Sequence, residues 1–297
     1  MAISFKDRVV IVTGAGAGLG RAHALEYARR GAKVVVNDLG GKVDGSGGSS
    51  EAALKVVEEI KALGGEAIAN GASVSDRTGA ESIVNDAIAK WGRVDVVVNN
   101  AGILRDKSFA KVDLNDFELV LQVHLLGSVY VTKAAWPHFV NQKYGRVVFT
   151  TSSSGLYGNF GQANYGAAKL GVIGLMNTLK LEGQKSDIRV NAIAPVAATR
   201  MTENLGIPEE VMKQLKPELI SPAVLYLTHE NAPTGTIIEE GAGYYAKAQI
   251  VESKGVKLGL DATVDDFAAA WDKISDMSEA KPNNAGPDVI VKIFSPG

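Results

Sequence analysis

The chain has 297 residues, 46% hydrophobic and 22% charged, and a net charge of −2. This is an ordinary globular composition, able to bury a full core and offering no basic field for nucleic acid. The absence of cysteine excludes disulfides, thiolate metal sites and a cysteine nucleophile. The four histidines form no HxxxH or HExxH pattern, so no metal is expected. No run approaches a membrane span, and the opening residues give no expectation of a signal peptide.

Arg8 to Val12 (RVVIV) is short, continuous and β-branched, the pattern of a strand covered on both faces. Thr13 to Gly20 (TGAGAGLG) follows directly, and from Leu19 to Arg30 apolar residues recur at helical spacing. A strand, a glycine turn and a helix N-terminus together let backbone amides and the helix dipole meet a pyrophosphate. A GxGxxG pattern beginning at Gly14 fails at Leu19, whereas Gly14, Gly18 and Gly20 fit GxxxGxG. Gly14, Gly18, Leu19 and Gly20 are therefore the expected cofactor residues of this loop. Lys33 to Asn37 is a second strand, and Asp38 ends it where an acidic side chain meets the adenosine ribose hydroxyls. A carboxylate there repels a 2′-phosphate and the loop carries no basic residue, so NAD is expected over NADP. The alternative is a strand-end Asp capping a turn.

Gly40 to Ser50 reads as a flexible connection, with Ser49 or Ser50 capping a helix over Glu51 to Ala62. Glu66 to Ala69 leads into a third strand through Val74, whose end, with Ser73 and Val74, lines an adenine pocket. Asp76 begins a helix ending near Trp91-Gly92. Val94 to Val98 is a fourth buried strand opening into Asn99-Asn100-Ala101-Gly102, small residues that let a flat cofactor lie close. Asn100 bonds the backbone or the cofactor, or the pair is simply a turn former.

Asp113 to Phe139 is expected as one long helix, with Phe117, Val120, Leu121, Leu125, Val129 and Ala135 on one stripe and a kink or end at Pro137. His124 on this helix reads as a packed residue. Val147-Val148-Phe149 is a fifth strand that delivers Ser152 to the sheet edge. In the helix that follows, Tyr165 and Lys169 stand four apart on one face. A phenol titrates at about pH 10, and a close ammonium and a cationic nicotinamide both favour the phenolate, so Lys169 tunes Tyr165 while Ser152 shares the same substrate oxygen. An isolated YxxxK recurs by chance; its context gives it weight. Ile188 to Ala194 is a sixth strand closed by Pro195, Val196 to Pro217 a loop with a short helix, and a helix over Pro222 to Thr228 and a strand over Thr236 to Glu239 complete the series. Such α/β alternation packs as a doubly wound parallel sheet that binds ligands beyond its strand C-termini. Gly14 to Gly20, Asp38, Asn100, Ser152 and Tyr165 all fall there.

The TGxxxGxG loop, Asn99 to Gly102, and Ser152 with Tyr165 and Lys169 resemble the short-chain dehydrogenase/reductase superfamily over residues 5 to 245. Asn37 to Gly41, Ala101 to Asp106, Lys143 to Arg146 and Gly155 to Tyr165 are similar to its (3R)-hydroxyacyl-CoA dehydrogenase branch. The resemblance implies a Rossmann-like sheet, a homodimer, a peroxisomal location with its signal outside this chain, and fusion to a hydratase or sterol-carrier domain beyond residue 297. It also implies NAD-dependent oxidation of a (3R)-3-hydroxyacyl-CoA substrate in fatty-acid β-oxidation, with 17β-hydroxysteroid oxidation as a further activity. Tyr165 would take the 3-hydroxyl proton as hydride leaves for NAD, Ser152 would hold the oxygen, and Lys169 would bind the nicotinamide ribose.

His124 stands where the superfamily carries a relay asparagine. Pro195-Val196 replaces the usual Pro-Gly, and Thr199 fits the nicotinamide-amide threonine with a shift of one residue. Arg105, Lys107, Arg200, Lys213 and Lys216 are candidates for coenzyme A phosphates. Residues 1–245 form the dehydrogenase domain. Residues 246–297 form an extension with a helical stripe, Val264, Phe267, Ala268, Trp271 and Ile274, that packs on the domain or reaches a neighbour, and a linker over Lys281 to Pro287. The alternatives are an NADPH-dependent 3-oxoacyl-carrier-protein reductase and a lipid-binding or scaffold module without turnover.

Overall fold

The computed structural model describes residues 2–48, 51–198 and 208–294. The first half alternates strand and helix: β1 (Val9–Thr13), α1 (Gly18–Arg29), β2 (Lys33–Asn37), α2 (Glu51–Ala62), β3 (Glu66–Asn70), α3 (Arg77–Trp91) and β4 (Val96–Asn99). Then come α4 (Leu114–Leu121), a π-helical turn over Gln122–Leu126, α5 (Gly127–Gln142), β5 (Gly145–Thr150), α6 (Ser153–Tyr157), α7 (Ala163–Glu182) and β6 (Ile188–Pro195). The short helices α8 (Glu209–Met212) and α9 (Ser221–Tyr226) precede β7 (Ile237–Gly241) and β8 (Tyr244–Ala248).

The β-branched runs occupy the centre of one eight-stranded sheet, ordered β3-β2-β1-β4-β5-β6-β7-β8. All five residues of β1 and all six of β5 are buried, as strands covered by helices on both faces must be. Pairing is parallel from β3 through β7. The chain builds outward from β1 to β3 and then returns to add β4 on the other side, so the crevice at the carboxyl ends of β1 and β4 is the topological switch point. Thr13 pairs with Asn37, and Val12 with Val98, so the ends of β2, β1 and β4 emerge level.

A compact lock joins two of these ends. The Thr13 hydroxyl accepts the N–H groups of Asn100 (3.0 Å) and Ala101 (3.1 Å), and the Asn100 amide donates to the carbonyls of Thr13 (3.0 Å) and Gly14 (3.2 Å).

Several expected boundaries differ. The third strand stops at Asn70, whose side-chain oxygen takes the Ala72 N–H and turns the chain, so Ser73 and Val74 lie in the loop beyond it. The long helix is two α-helices joined by the π turn, and Pro137 lies inside α5, which loses one donor there yet runs on to Gln142. β8 has no counterpart in the sequence reading: Ala242 and Gly243 both take positive φ, 49° and 81°, as a two-residue hairpin turn requires. The expected caps Ser49 and Ser50 lie outside the described residues.

Residues 248–297 form a second compact unit. Its stripe is divided between α10 (Val264–Ala269), closed by a Thr263/Asp266 capping box, and α11 (Trp271–Ile274), and Val264, Phe267 and Trp271 are exposed. The expected linker carries structure: Lys281 bridges Glu252, and Pro287 sits in the first turn of α12 (Gly286–Phe294), where its missing N–H costs nothing.

Thr13→Val keeps the shape of the β1 end but strips two amides of their acceptor. Urea unfolding should show a loss of about 2 to 4 kcal/mol.

Candidate active site

β5 ends at Thr150, and two residues later Ser152 caps α6, its hydroxyl accepting the Ser154 N–H at 3.2 Å. Tyr165 is the third residue of α7, and Lys169 follows one turn on. Two bonds stitch this turn to the end of β5: the Lys169 ammonium donates to the Thr150 carbonyl at 2.6 Å, and the Thr151 hydroxyl donates to the Lys169 carbonyl at 2.6 Å. Lys169 Nζ stands 5.4 Å from the centre of the Tyr165 ring, and the Ser152 hydroxyl is close enough to pull the phenol's pKa down. Ser152, Tyr165 and Lys169 thus meet at one place.

Burial governs their chemistry. It pushes the Tyr165 phenol up to about 12, although the Ser152 bond pulls the other way; Asp106 adds a further upward push. The same burial drives the Lys169 ammonium down to about 7. The protein's own groups therefore hold the phenol protonated and the lysine at the edge of neutrality, rather than an acidic phenol beside a permanent cation.

His124 lies in the π turn, fully inside. Its ring stands edge-on to Tyr165, centroids 5.1 Å apart, and its Nε2 faces the backbone of Ile103, N at 3.0 Å and O at 2.7 Å. Its Nδ1 is buried without a partner among the described residues, and burial followed by the Lys169 charge keeps the imidazole neutral. A Cβ on Gly102 would strike the ring at 2.2 Å, so the small residue after Ala101 makes room for a histidine.

The phenol and ammonium open onto a cleft of about 300 Å³ at the switch point. Of the expected cofactor residues, Gly14, Gly18, Leu19, Asp38, Ser73, Val74, Asn100, Tyr165 and Lys169 line it. Gly20 lies behind the wall: a Cβ there would sit 2.2 Å from the Gly14 carbonyl and 2.7 Å from the Asn100 amide, so its role is close packing. Asp38 accepts the N–H groups of Gly16 (2.7 Å) and Gly40 (2.6 Å), one on each carboxylate oxygen. Thr199 and Arg200 lie outside the described residues. The wall also contains residues that the sequence did not single out, Gly41, Lys42, Val43, Gly45 and Ile103. Thr13 was overlooked too, although a Thr-Gly at a strand end is the visible sign of such a lock.

A family model described as short chain dehydrogenase matches residues 8–210. The chain belongs to the short-chain dehydrogenase family. It is 50% identical over 291 residues to the peroxisomal multifunctional enzyme A of Dictyostelium discoideum, covering 97% of this chain and 65% of that one. The solved full-length peroxisomal multifunctional enzyme type 2 of Drosophila melanogaster is 41% identical with a TM-score of 0.83, over 98% of this chain and 49% of that chain. A 7α-hydroxysteroid dehydrogenase solved with NADH and 7-oxo glycochenodeoxycholic acid is 28% identical, with a TM-score of 0.73, over 81% of this chain and 95% of that chain. The chain thus spans about two thirds of one multifunctional relative and about half of the other.

In this short-chain dehydrogenase the expected basic residues that are described are engaged in ion pairs or exposed. Arg105 donates to the Asp44 carbonyl and pairs with Asp116, Lys213 pairs with Glu209 and Glu210, and Lys107 and Lys216 are exposed.

The lysine gives a pH signature. Between about 7, its folded value, and 10.5, its ordinary value, the unfolded chain holds a proton that the folded chain lacks, so stability rises with pH there. The Tyr165 shift acts with opposite sign only above about pH 10. Burial holds the Glu240 carboxyl up at about 9, which acts with the opposite sign up to that pH, so the lysine is read as a difference: from about pH 7 to pH 9 the urea midpoint of the parent protein should rise relative to that of Lys169→Met.

Proposed function

We propose that this chain is an NAD-dependent dehydrogenase that oxidises (3R)-3-hydroxyacyl-CoA esters to 3-oxoacyl-CoA in peroxisomal fatty-acid β-oxidation. The observation that carries the reading is Tyr165 and Lys169 in the wall of a glycine-lined crevice, with the Ser152 hydroxyl acting on the phenol. The crevice fits a dinucleotide. α1 starts at Gly18 with no side chain capping its first turn, Gly14 and Gly18 take positive φ, and a Cβ on Gly14 would come within 2.8 Å of the Ala101 backbone. Asp38 keeps lone pairs free for ribose hydroxyls while accepting two amides, and its charge disfavours a 2′-phosphate.

In this reading Ser152 donates to the substrate oxygen and Tyr165 receives the alcohol proton. A bound oxidised nicotinamide supplies the hydride acceptor and a positive charge. That charge offsets the burial that holds the phenol at about 12. Lys169, with one N–H fixed on Thr150, retains two donors for the nicotinamide ribose. Neutral His124 braces the tyrosine ring and the Gly102-Ile103 turn.

The similarity to two peroxisomal multifunctional enzymes supports a place in a longer peroxisomal polypeptide; a fused hydratase or sterol-carrier domain and a homodimer are part of the same proposal. The similarity to a 7α-hydroxysteroid dehydrogenase supports steroid alcohols as a class of secondary substrate, of which 17β-hydroxysteroids are the proposed members. Asp38 disfavours the NADPH-linked carrier-protein reductase, and the assembled Ser-Tyr-Lys cluster disfavours a module without turnover.

The deciding assay is NADH formation across a chain-length series of (3R)- and (3S)-hydroxyacyl-CoA esters. Turnover confined to the 3R series is expected; turnover of the 3S series alone overturns the substrate assignment. Tyr165→Phe should lower kcat by about 10²- to 10⁴-fold while NADH binding, followed by its fluorescence, persists. Asp38→Ala should raise the NADP-to-NAD ratio of kcat/KM, and an unchanged ratio removes Asp38 from cofactor choice.

A further inference from the structure

The segment after β2 has no periodicity, yet it is a built object. Within it, the Lys42 N–H bonds the Ser46 carbonyl at 2.8 Å, the Gly45 N–H bonds the Lys42 carbonyl at 2.9 Å, and the Asp44 carboxylate takes the Ser46 N–H at 2.9 Å. The loop is therefore held together by its own bonds. Gly40 and Gly47, at its two ends, have φ of 71° and 74°, a region open to glycine, so rotation can concentrate there.

Its far side is fastened to the chain that leaves β4. The Leu104 N–H donates to the Val43 carbonyl at 2.9 Å, and Arg105 Nε donates to the Asp44 carbonyl at 2.8 Å. The same guanidinium pairs with Asp116 on α4. Gly45 lies bare against Ile103: a Cβ there would stand 3.2 Å from Ile103 Cδ1 and Cγ2. Because β1 lies between β2 and β4, a connection from the end of β2 to the loop after β4 must pass across the carboxyl end of β1, where the glycine loop begins. Gly41, Lys42, Val43 and Gly45 line the cleft from this side and Ile103 from the other.

We infer that residues 40–48 are a strap across the nucleotide half of the cleft, clasped by Arg105, and that opening this clasp sets the rate at which the dinucleotide enters and leaves. The inference rests on the dinucleotide reading given above. Arg105 is a positioning residue here, acting through the strap. Two hydrogen bonds and the Gly45–Ile103 contact hold the strap to the far wall, few enough to break and re-form during turnover.

The test locks and loosens the clasp. The would-be Cβ of Gly45 lies 3.8 Å from the Ile103 Cβ, the separation that a disulfide needs, and the chain has no other cysteine. In the Gly45→Cys, Ile103→Cys protein, stopped-flow NADH fluorescence should show association and dissociation both slowed at least about tenfold when oxidised, and both restored by reduction. In Arg105→Ala both rates should rise, by up to about tenfold, because the charged hydrogen bond to Asp44 is lost. The dissociation constant should move less than either rate, a signature that loss of a direct cofactor contact or general loosening does not produce.

Equal rates in the oxidised and reduced proteins, or a slower association in Arg105→Ala, overturn the strap and leave the cofactor reading standing. Failure of the parent chain to bind NADH at all overturns the cofactor reading, and the strap with it. Should the cysteine pair not fold, Arg105→Ala decides alone.

Discussion

A buried lysine in the wall of the cleft, its ammonium bonded to the carbonyl that ends β5, is the constraint around which the site is organised. Taking a cation out of water is costly, and burial accordingly drives the Lys169 ammonium down to about 7, at a position 5.4 Å from the centre of the Tyr165 ring and within electrostatic reach of His124. His124 is held neutral, and the phenol stays protonated until a further positive charge arrives. A site of this kind is quiet when empty and reactive when filled, because the last increment of electrostatic pull belongs to the proposed cofactor and not to the protein.

The second requirement is a narrow gap between β1 and β4. Two hydrogen-bond systems, one on the Thr13 hydroxyl and one on the Asn100 amide, draw these strand ends together until only glycine fits at positions 14 and 20. The glycines are thus the outcome of the lock as much as a cradle for phosphate. Asp38 works on the other side in the same manner, gripping the loop amides of Gly16 and Gly40 and thereby fixing the orientation of its own carboxylate.

Much of this was legible in the sequence for simple reasons. Val9–Val12, Val34–Val36 and Val147–Phe149 are uninterrupted buried runs with no competing period, so the central strands stood out. The glycine loop and the Tyr165–Lys169 spacing were readable because both are local: one strand-to-helix turn and one turn of helix. What escaped depended on contacts distant in sequence. Gly40 to Ser50 looked flexible because the described part of its order comes from bonds within an aperiodic turn and from Leu104 and Arg105, some sixty positions away. The upward shift of Tyr165 was hidden because spacing shows the neighbouring cation but not the depth of burial. The extension's stripe read as helical throughout, whereas at Ala270 the backbone opens to φ −94° and ψ 0° and divides it into two short helices.

The π turn at Gln122–Leu126 carries a consequence for the whole helical layer. One extra residue in an α-helix turns everything beyond it by about 100°. Here α4 packs against α7 before the turn, while α5 packs against α3 after it. A single rod thereby serves two neighbours on different sides, with the imidazole at the point of changeover. Any drift in sequence that regularised this turn would have to choose between seating the tyrosine helix and covering the sheet.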